Sequence, residues 1–335
     1  MLCEELMEKP LDEKGSPVHQ SSGAFPFAGK TPMLPHFRCG YVAIAGKPNV
    51  GKSTLLNTML SQKISIVTPK PQTTRHRVLG ILSTDSHQVI FLDTPGFLKP
   101  KYLLHEMMVE SAESAIAEAD IVLWLVDATN PGIGEDSRQP EVLDRLKHLT
   151  IPVFLGINKV DLVHKPSLLP LIEFFSREGR FKDIVPISAL HRDGTEKLLK
   201  LIIDSLPEHP PFYPLDIVSD RSERFFVAEI IREKIFLLCQ EEIPYSATVA
   251  VADFIDREGG KAFVSADILV ERDTQRGIVI GKHGAMLKKI GSVARKEIED
   301  FLQRQIFLEL HVKVREEWRR KKSWLERLGY KPEGQ

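Results

Sequence analysis

The chain has 335 residues, more than one ordinary domain core accommodates and about the length of two domains. Hydrophobic residues make up 42% and charged residues 27% of it, and no apolar run reaches the roughly 18 residues that a membrane-spanning helix needs. Its three scattered cysteines exclude a disulfide framework and a paired zinc site, so we expect a soluble protein.

The first 38 residues are rich in Pro, Gly, Ser and charge and show no hydrophobic periodicity, which predicts a flexible extension. They lack both the apolar stretch of a secretion signal and the acid-poor, Arg-rich pattern of a transit peptide. A cytoplasmic location is therefore expected.

From Tyr41 the chain alternates short β-branched runs with helical or loop segments. This alternation predicts a doubly wound, parallel α/β domain over residues 39–206. The predicted strands are Tyr41–Ala45, Gln88–Asp93, Ile121–Asp127, Pro152–Asn158 and Asp183–Ser188.

Four prolines between Leu206 and Pro214 predict an extended connector at residues 207–219. The pattern that follows, over 220–335, indicates an α+β module. Its predicted order is helix Ser222–Cys239, strand Ala247–Ile255, strand Ala262–Arg272, helix His283–Ile290, helix Ser292–Gln303 and strand Ile306–Val314.

A phosphate-binding P-loop follows the first strand. It matches G-x-x-x-x-G-K-[ST] between a strand and a helix, where its backbone N–H groups and the helix N-terminus can hold phosphate oxygens. Lys52 would contact the β- and γ-phosphates, and Ser53 would bind Mg²⁺. The predicted residues are Gly46, Lys47, Pro48, Asn49, Val50, Gly51, Lys52, Ser53 and Thr54.

Three further strand ends carry motifs that complete a guanine-nucleotide site. Asp93-Thr94-Pro95-Gly96, followed by Phe97, would hold the metal through Asp93 and meet the γ-phosphate at the Gly96 N–H. Asn158-Lys159-Val160-Asp161 would recognise guanine, because the Asp161 carboxylate can accept from both N1–H and the exocyclic amine. Ser188-Ala189-Leu190 would close over the base.

The four motifs, in this order, resemble those of the translation-factor-like GTPases. The resemblance implies that residues 64–77 form switch I, in which Thr73, or alternatively Thr74, binds Mg²⁺ in the GTP state. Phe97 stands where a water-orienting glutamine is common, so intrinsic hydrolysis should be slow. Asn49 either supports a K⁺ ion near the phosphates or only shapes the loop. The implied catalytic set is Lys52, Thr73, Gly96 and Asn49.

The C-terminal part of the chain is basic. Residues 272–335 contain 16 Lys and Arg against 9 Asp and Glu, so they carry +7 while the whole chain carries −1. Such a segment indicates a polyanionic partner or only a solvated helix face.

Within this segment, Val279-Ile-Gly-Lys-His-Gly-Ala-Met-Leu-Lys-Lys-Ile-Gly291 resembles the signature of a type II KH domain. The resemblance implies RNA binding at Gly281, Lys282, His283, Gly284, Lys288 and Lys289. Trp318 and Trp324 could stack on bases, but we expect them to anchor a terminal helix to its own domain.

Stretches such as Gln72-Thr-Thr-Arg-His-Arg77 and Glu229-Ile-Ile-Arg-Glu-Lys234 resemble the Era family of bacterial GTPases from about Gly40 to the end. This implies a GTPase that uses GTP/GDP and Mg²⁺, binds the 3′ end of small-subunit ribosomal RNA and assists small-subunit assembly. It also implies a monomer with peripheral inner-membrane association. The alternatives are a GTPase acting in RNA modification or at the membrane, and an RNA-binding protein whose nucleotide domain is structural.

Overall fold

The computed structural model describes residues 36–131, 146, 148–177, 181–256 and 260–330. The flexible extension predicted at residues 1–38 lies outside the described residues except for its last three, of which Arg38 opens the first strand. Both sheets described below belong to one unit, Pro35–Gln335.

The first sheet has six strands in the order β2-β3-β1-β4-β5-β6. Its strands are β1 Arg38–Gly46, β2 Val78–Ser83, β3 His87–Asp93, β4 Ile121–Asp127, β5 Val153–Asn158 and β6 Asp183–Pro186. The associated helices are α1 Lys52–Leu60, α2 Leu103–Glu118, α3 Leu168–Arg177 and α4 Thr195–Ser205. All neighbouring pairs are parallel except β2 with β3. The carboxyl ends of β1, β3, β4 and β5 therefore meet at one edge, where open α/β sheets bind ligands.

Sequence analysis missed the antiparallel edge strand β2. Its interior contains Gly80, a residue that weakens a strand pattern. In the structure an added Cβ at Gly80 would lie 2.7 Å from Leu60 Cδ1 and 2.8 Å from Leu56 Cδ1. The glycine is thus required because α1 packs directly on β2.

The second sheet has three strands, β7 Thr248–Ile255, β8 Ala262–Val270 and β9 Ile306–Val314. β7 and β8 are antiparallel, whereas β8 and β9 are parallel. The helices around it are α5 Glu223–Leu238, α6 Ile243–Ser246, α7 Asp273–Ile280, α8 Ala285–Leu302 and α9 Lys322–Arg327.

The helices that flank the G-x-x-G loop differ from the prediction. The two helices expected at His283–Ile290 and Ser292–Gln303 are one helix, α8, which continues through Gly291. Ile290, Ala294 and Ile298 are buried at helical spacing, and their packing outweighs the cost of about 1 kcal/mol for an interior glycine. The helix that precedes the loop, α7, was not predicted.

The Pro-rich connector lies against the first sheet, and it is not extended throughout, because the Ile217 N–H donates to the Pro214 carbonyl (3.2 Å) across a turn. The side-chain oxygen of Gln88 accepts from the backbone N–H groups of Phe212 (2.8 Å) and Tyr213 (3.0 Å), and the Val218 carbonyl accepts from Ile81 N (2.8 Å). Across the described ranges, no helix is both long and apolar enough to cross a membrane.

Candidate guanine-nucleotide cleft and nucleic-acid loop

The P-loop curls around the ammonium group of Lys52. Positive φ angles of 149° at Gly46, 64° at Asn49 and 98° at Gly51 produce this curl. The buried Lys52 Nζ donates to the carbonyls of Gly46 (3.3 Å) and Lys47 (3.0 Å). Burial lowers the pKa of Lys52 to about 8, an effect that the nearby Asp93 carboxylate opposes. A cation inside a loop at a helix N-terminus can bind phosphate oxygens.

Three oxygen-bearing side chains meet beside the P-loop. Ser53 Oγ lies 2.6 Å from Asp93 Oδ2 and 2.7 Å from Thr74 Oγ1. Burial raises the pKa of Asp93, and hydrogen bonds from Ser53 and Ser65 oppose that rise. Within the described part of the chain, the buried Asp93 Oδ1 has no hydrogen-bond partner. A buried carboxylate with an unpaired oxygen and adjacent hydroxyls fits Mg²⁺, which prefers hard oxygen ligands.

Thr73, the predicted metal ligand, bonds within its own loop, whereas the alternative, Thr74, faces Ser53. Which of the two threonines binds Mg²⁺ stays a prediction. Thr73 Oγ1 donates to the Lys70 carbonyl (2.8 Å) and lies 2.7 Å from Thr68 Oγ1. The Thr73 carbonyl accepts from Arg232 Nη2 at 2.6 Å. These bonds hold the Thr73 side chain within its own loop, so that the next residue faces Ser53.

Asn158 joins the loops that surround the predicted base site. Its Nδ2 donates to the Val50 carbonyl (2.8 Å), and its Oδ1 accepts from Ala189 N (2.9 Å). Asp161 Oδ1 accepts from Ser188 Oγ at 2.5 Å. The oriented Asp161 carboxylate lines the cleft, where it can accept two hydrogen bonds from the edge of guanine.

The Asp93–Gly96 turn lies directly against the P-loop. An added Cβ at Gly96 would lie 2.6 Å from the backbone nitrogen of Pro48, so this approach requires glycine. The Phe97 N–H donates to the Gly46 carbonyl (3.2 Å), and the Phe97 ring packs on Trp124 with 5.8 Å between centroids. Phe97 thus supports the turn by packing, and its apolar ring provides no group that could orient a water molecule.

These elements enclose a cleft of about 410 Å³, called the nucleotide cleft below. The predicted residues that line it are Pro48, Asn49, Gly51, Lys52, Ser53, Thr54, Thr73, Gly96, Asn158, Lys159, Asp161, Ala189 and Leu190. The other predicted residues, Gly46, Lys47, Val50, Asp93, Thr94, Pro95, Phe97, Val160 and Ser188, lie in the loops and strand ends that support this lining.

The cleft also has walls that sequence analysis did not assign. Ile66, Val67, Thr68, Pro69, Gln72 and Leu162 line it besides the alternative ligand Thr74. All but Leu162 belong to switch I, whose position was predicted but whose individual contacts were not. Asn57 holds the start of this loop, because its Oδ1 accepts from the backbone nitrogens of Ile64 (3.0 Å) and Ser65 (2.9 Å).

Asn49 links the P-loop to switch I. Its Nδ2 donates to the Pro69 carbonyl at 2.8 Å, and its backbone has a positive φ. This contact agrees with a role in shaping the loop. A role in K⁺ binding stays a prediction.

The loop of residues 281–284, called the KH loop below, joins α7 to α8 in a short 3-10 turn. φ is positive at Gly281 (73°), His283 (51°) and Gly284 (77°). A Cβ at Gly281 would lie 2.7 Å from Met286 Cβ, whereas one at Gly284 would meet nothing within 4 Å. The side chains predicted to bind RNA, Lys282, His283, Lys288 and Lys289, are exposed. The loop thus presents bare backbone and positive charge at a helix N-terminus, as a phosphodiester chain requires.

Switch I is bonded to the helices of the second sheet. The buried Arg75 donates to the carbonyls of Ala247 (2.9 Å) and Pro244 (2.8 Å). Lys70 Nζ donates to two carbonyls at the C-terminal end of α5, at 2.6 and 2.5 Å. Sequence analysis missed these contacts, because no local pattern distinguishes an interdomain arginine from a solvated one.

Trp318 and Trp324 anchor the C-terminal segment, residues 318–330, but not only to its own domain as expected. Trp318 is fully buried, donates from Nε1 to the Ser246 carbonyl (2.8 Å), and packs with Leu104 and Met108 of α2. The half-buried Trp324 lies 5.3 Å from the Arg315 guanidinium. The segment also packs against α2, the helix that follows the Asp93–Gly96 turn, so the expectation that it contacts its own domain alone is wrong.

Two family models match the chain. The model described as 50S ribosome-binding GTPase matches residues 41–159, and the KH domain model matches residues 242–319.

Similar proteins cover nearly the whole of the described chain. The GTPase Era of Geobacter metallireducens is 50% identical over 295 residues, which are 88% of this chain and 98% of that protein. The GTPase Era of Geotalea daltonii is 49% identical over 295 residues, which are again 88% of this chain and 98% of that protein. A crystal structure of an Aquifex aeolicus Era variant bound to GDP and AlF4⁻ has a TM-score of 0.84 and 42% identity, covering 88% of this chain and 99% of that one. A crystal structure of Era in complex with MgGDPNP and nucleotides 1506–1542 of 16S ribosomal RNA has the same scores and coverage.

Proposed function

The chain belongs to the Era family of GTPases, and on that premise we propose that it is a GTP-hydrolysing switch that binds the 3′ end of small-subunit ribosomal RNA and assists small-subunit assembly. One observation carries the proposal. The chain combines a guanine-nucleotide cleft, closed by buried and partly buried hydrogen bonds, with an exposed G-x-x-G loop of a KH domain. The RNA is chosen because the similar Era structure contains the 3′ part of 16S ribosomal RNA.

The P-loop binds and orients the phosphates in this proposal. Lys52 exchanges its hydrogen bonds with the Gly46 and Lys47 carbonyls for bonds to phosphate oxygens. Ser53, Thr74 and Asp93 would hold Mg²⁺, which neutralises charge on the phosphates when it is bound. Phe97 offers no group that could orient a water molecule, so hydrolysis by the isolated protein is slow.

Asp161 sets the base preference. Its carboxylate accepts from guanine N1–H and the exocyclic amine, and adenine offers no matching pair of donors. Ser188 Oγ fixes the orientation of the carboxylate, and Asn158 joins the P-loop to the loop beneath the base.

We divide the chain into an extension at 1–38, a GTPase domain at 39–206, a connector at 207–219 and a KH domain at 220–335. The proposed location is the cytoplasm, with peripheral association with the inner membrane, and the proposed state is a monomer. The domain bounds rest on composition and hydrophobic periodicity, and the membrane association and the monomeric state rest on the family resemblance.

RNA binding is tested by replacing Lys282 and His283 together with Asp. Two carboxylates in the KH loop would face phosphates at contact distance, so we expect affinity for single-stranded RNA from the 3′ end of small-subunit ribosomal RNA to fall by about 100-fold or more. GDP affinity should not change, because the substituted side chains are exposed and lie outside the cleft lining. Filter binding and calorimetry measure the two affinities.

The control replaces Lys197 and Lys200 with Asp on the exposed face of α4, which lowers the net charge by four, against three in the KH-loop variant, on a different element. The control should lose much less RNA affinity. Equal losses in the two double variants would show that net charge alone governs binding, and unaltered affinity in the KH-loop variant would remove the RNA-binding role.

A further inference from the structure

Lys159 of the guanine motif is held by a residue outside the four motifs. Its backbone is left-handed, with φ at 65°, and its side chain lines the nucleotide cleft. Its Nζ donates to Asp127 Oδ2 at 2.5 Å. The ammonium group is therefore fixed at one end of a long, flexible stem.

The parallel pairing of β4 and β5 places Asp127 for this contact. Asp127 is the last residue of β4 and pairs with Asn158, the last residue of β5. The Ala128 N–H donates to the Asn158 carbonyl at 2.8 Å, so the chain after β4 stays close to the start of the guanine motif. The adjacent strand ends thus bring the two side chains together.

The two carboxylate oxygens of Asp127 have different partners. Oδ1 accepts from the backbone N–H of Thr129 (2.9 Å) and from its hydroxyl (2.7 Å), whereas Oδ2 accepts from Lys159. The Asp127 side chain is only 13% exposed. Burial acts to raise the pKa of Asp127, but the hydrogen bonds from Lys159 and Thr129 outweigh it and hold the pKa below its ordinary value. The carboxylate is therefore charged and is oriented by partners within the chain itself.

We propose that Asp127 is a positioning residue for guanine-nucleotide binding and that it acts through Lys159, holding the lysine stem in place against the base. A free lysine side chain samples many rotamers, so ordering it costs conformational entropy. The ion pair orders the stem by a contact within the protein itself, so that less conformational entropy is lost when the base binds. The inference rests on the proposed guanine site.

The experiment is a double-mutant cycle on GDP affinity, measured by calorimetry with the full chain. Asp127→Ala should weaken GDP binding by about five- to tenfold, within the range of a partly buried pair plus the lost ordering. Lys159→Ala should weaken it at least as much. Combining the two should weaken binding no further than Lys159→Ala alone, because the aspartate then has nothing left to position.

Asp127→Asn keeps the shape and one oxygen acceptor, so it should recover part of the lost affinity. Asp85→Ala, at an exposed turn, is the matched control and should bind GDP like the unmodified protein. If Asp127→Ala lowered GDP affinity by the same factor in the unmodified protein and in the Lys159→Ala variant, Asp127 would act through the backbone. That result would overturn the proposal. Unmodified protein that failed to bind GDP would refute the guanine site itself.

Discussion

The nucleotide cleft and the KH loop differ in how far apart in the sequence their residues lie. The cleft joins Ser53 to Asp93, Val50 to Asn158 and Asp161 to Ser188 through buried or partly buried side-chain hydrogen bonds. The KH loop is four consecutive residues between two helices, with exposed side chains.

This difference predicts different responses to substitution. A cleft whose geometry depends on paired side chains is sensitive to changes that keep size but alter a donor or acceptor. A loop that presents backbone and charge is sensitive to charge reversal and to loss of glycine, and tolerant of most neutral changes.

Asp161→Asn should affect the cleft most. The amide keeps one acceptor and introduces a donor, so one guanine hydrogen bond becomes a donor–donor clash. We expect GDP affinity to fall by about 1,000-fold or more and xanthosine diphosphate to bind better than GDP. Calorimetry with both nucleotides measures this, and RNA affinity without nucleotide should stay the same. A variant that still preferred GDP would break the assignment of Asp161.

Gly51→Ala tests whether the cleft depends on close backbone approach. φ at Gly51 is 98°, and an added Cβ would lie 2.2 Å from Asn158 Nδ2. Backbone strain of this kind costs on the order of 1–3 kcal/mol, and displacing Asn158 would also open the base site. GDP affinity should fall by about 30-fold or more.

The matched control is Gly277→Ala in α7, where φ is not positive and an added Cβ meets nothing within 4 Å. It should leave GDP affinity unchanged and increase stability slightly. Similar losses in the two alanine variants would contradict the structural explanation.

His76 lies where switch I meets the C-terminal segment, and its ring stacks on Tyr330 with 4.1 Å between centroids. Burial, helped by nearby arginines and opposed by Glu229, lowers the pKa of His76 from 6.5 to about 3. Below pH 6.5 the unfolded chain binds a proton that the folded protein excludes. The contribution of neutral His76 to the free energy of unfolding is therefore complete above pH 6.5 and is lost as the pH falls. At pH 5 the free energy of unfolding is lower by about 2 kcal/mol on this account.

His76→Phe keeps the ring packing and cannot titrate. Urea unfolding between pH 7.5 and 5 should show a smaller loss of unfolding free energy in this variant than in the unmodified protein. If the unfolding free energy changed with pH by the same amount in both proteins, the interface would not hold His76 in its neutral form. Stability at pH 7.5 should change little.

The dependence of hydrolysis on monovalent ions should be the smallest effect. We expect slow GTP hydrolysis that is faster in K⁺ than in Na⁺, because a cation near Asn49 would add positive charge where Phe97 adds none. Phosphate release in matched salts measures it. Equal rates would favour the role in loop shaping, which the contact between Asn49 and the Pro69 carbonyl supports.

Much of this molecule could be predicted from local sequence. The P-loop, the Asp93–Gly96 turn, Asn158–Asp161 and the G-x-x-G loop lie at the ends of strands or helices that hydrophobic periodicity predicts. Their backbone geometry depends on glycines and apolar runs within a few residues. For that reason most residues of the first three motifs line or support one cleft, and the G-x-x-G residues form a single loop between two helices.

Only the tertiary structure decided which of two adjacent threonines faces Ser53, because the bond from Arg232 to the Thr73 carbonyl comes from a helix about 160 positions away. It also showed that α8 continues through Gly291, that Trp318 packs on α2, and that Asp127 holds Lys159. Each of these depends on a partner distant in sequence. A local pattern determines backbone conformation and the chemistry that is available, whereas the partner of a side chain is determined when separate elements pack together.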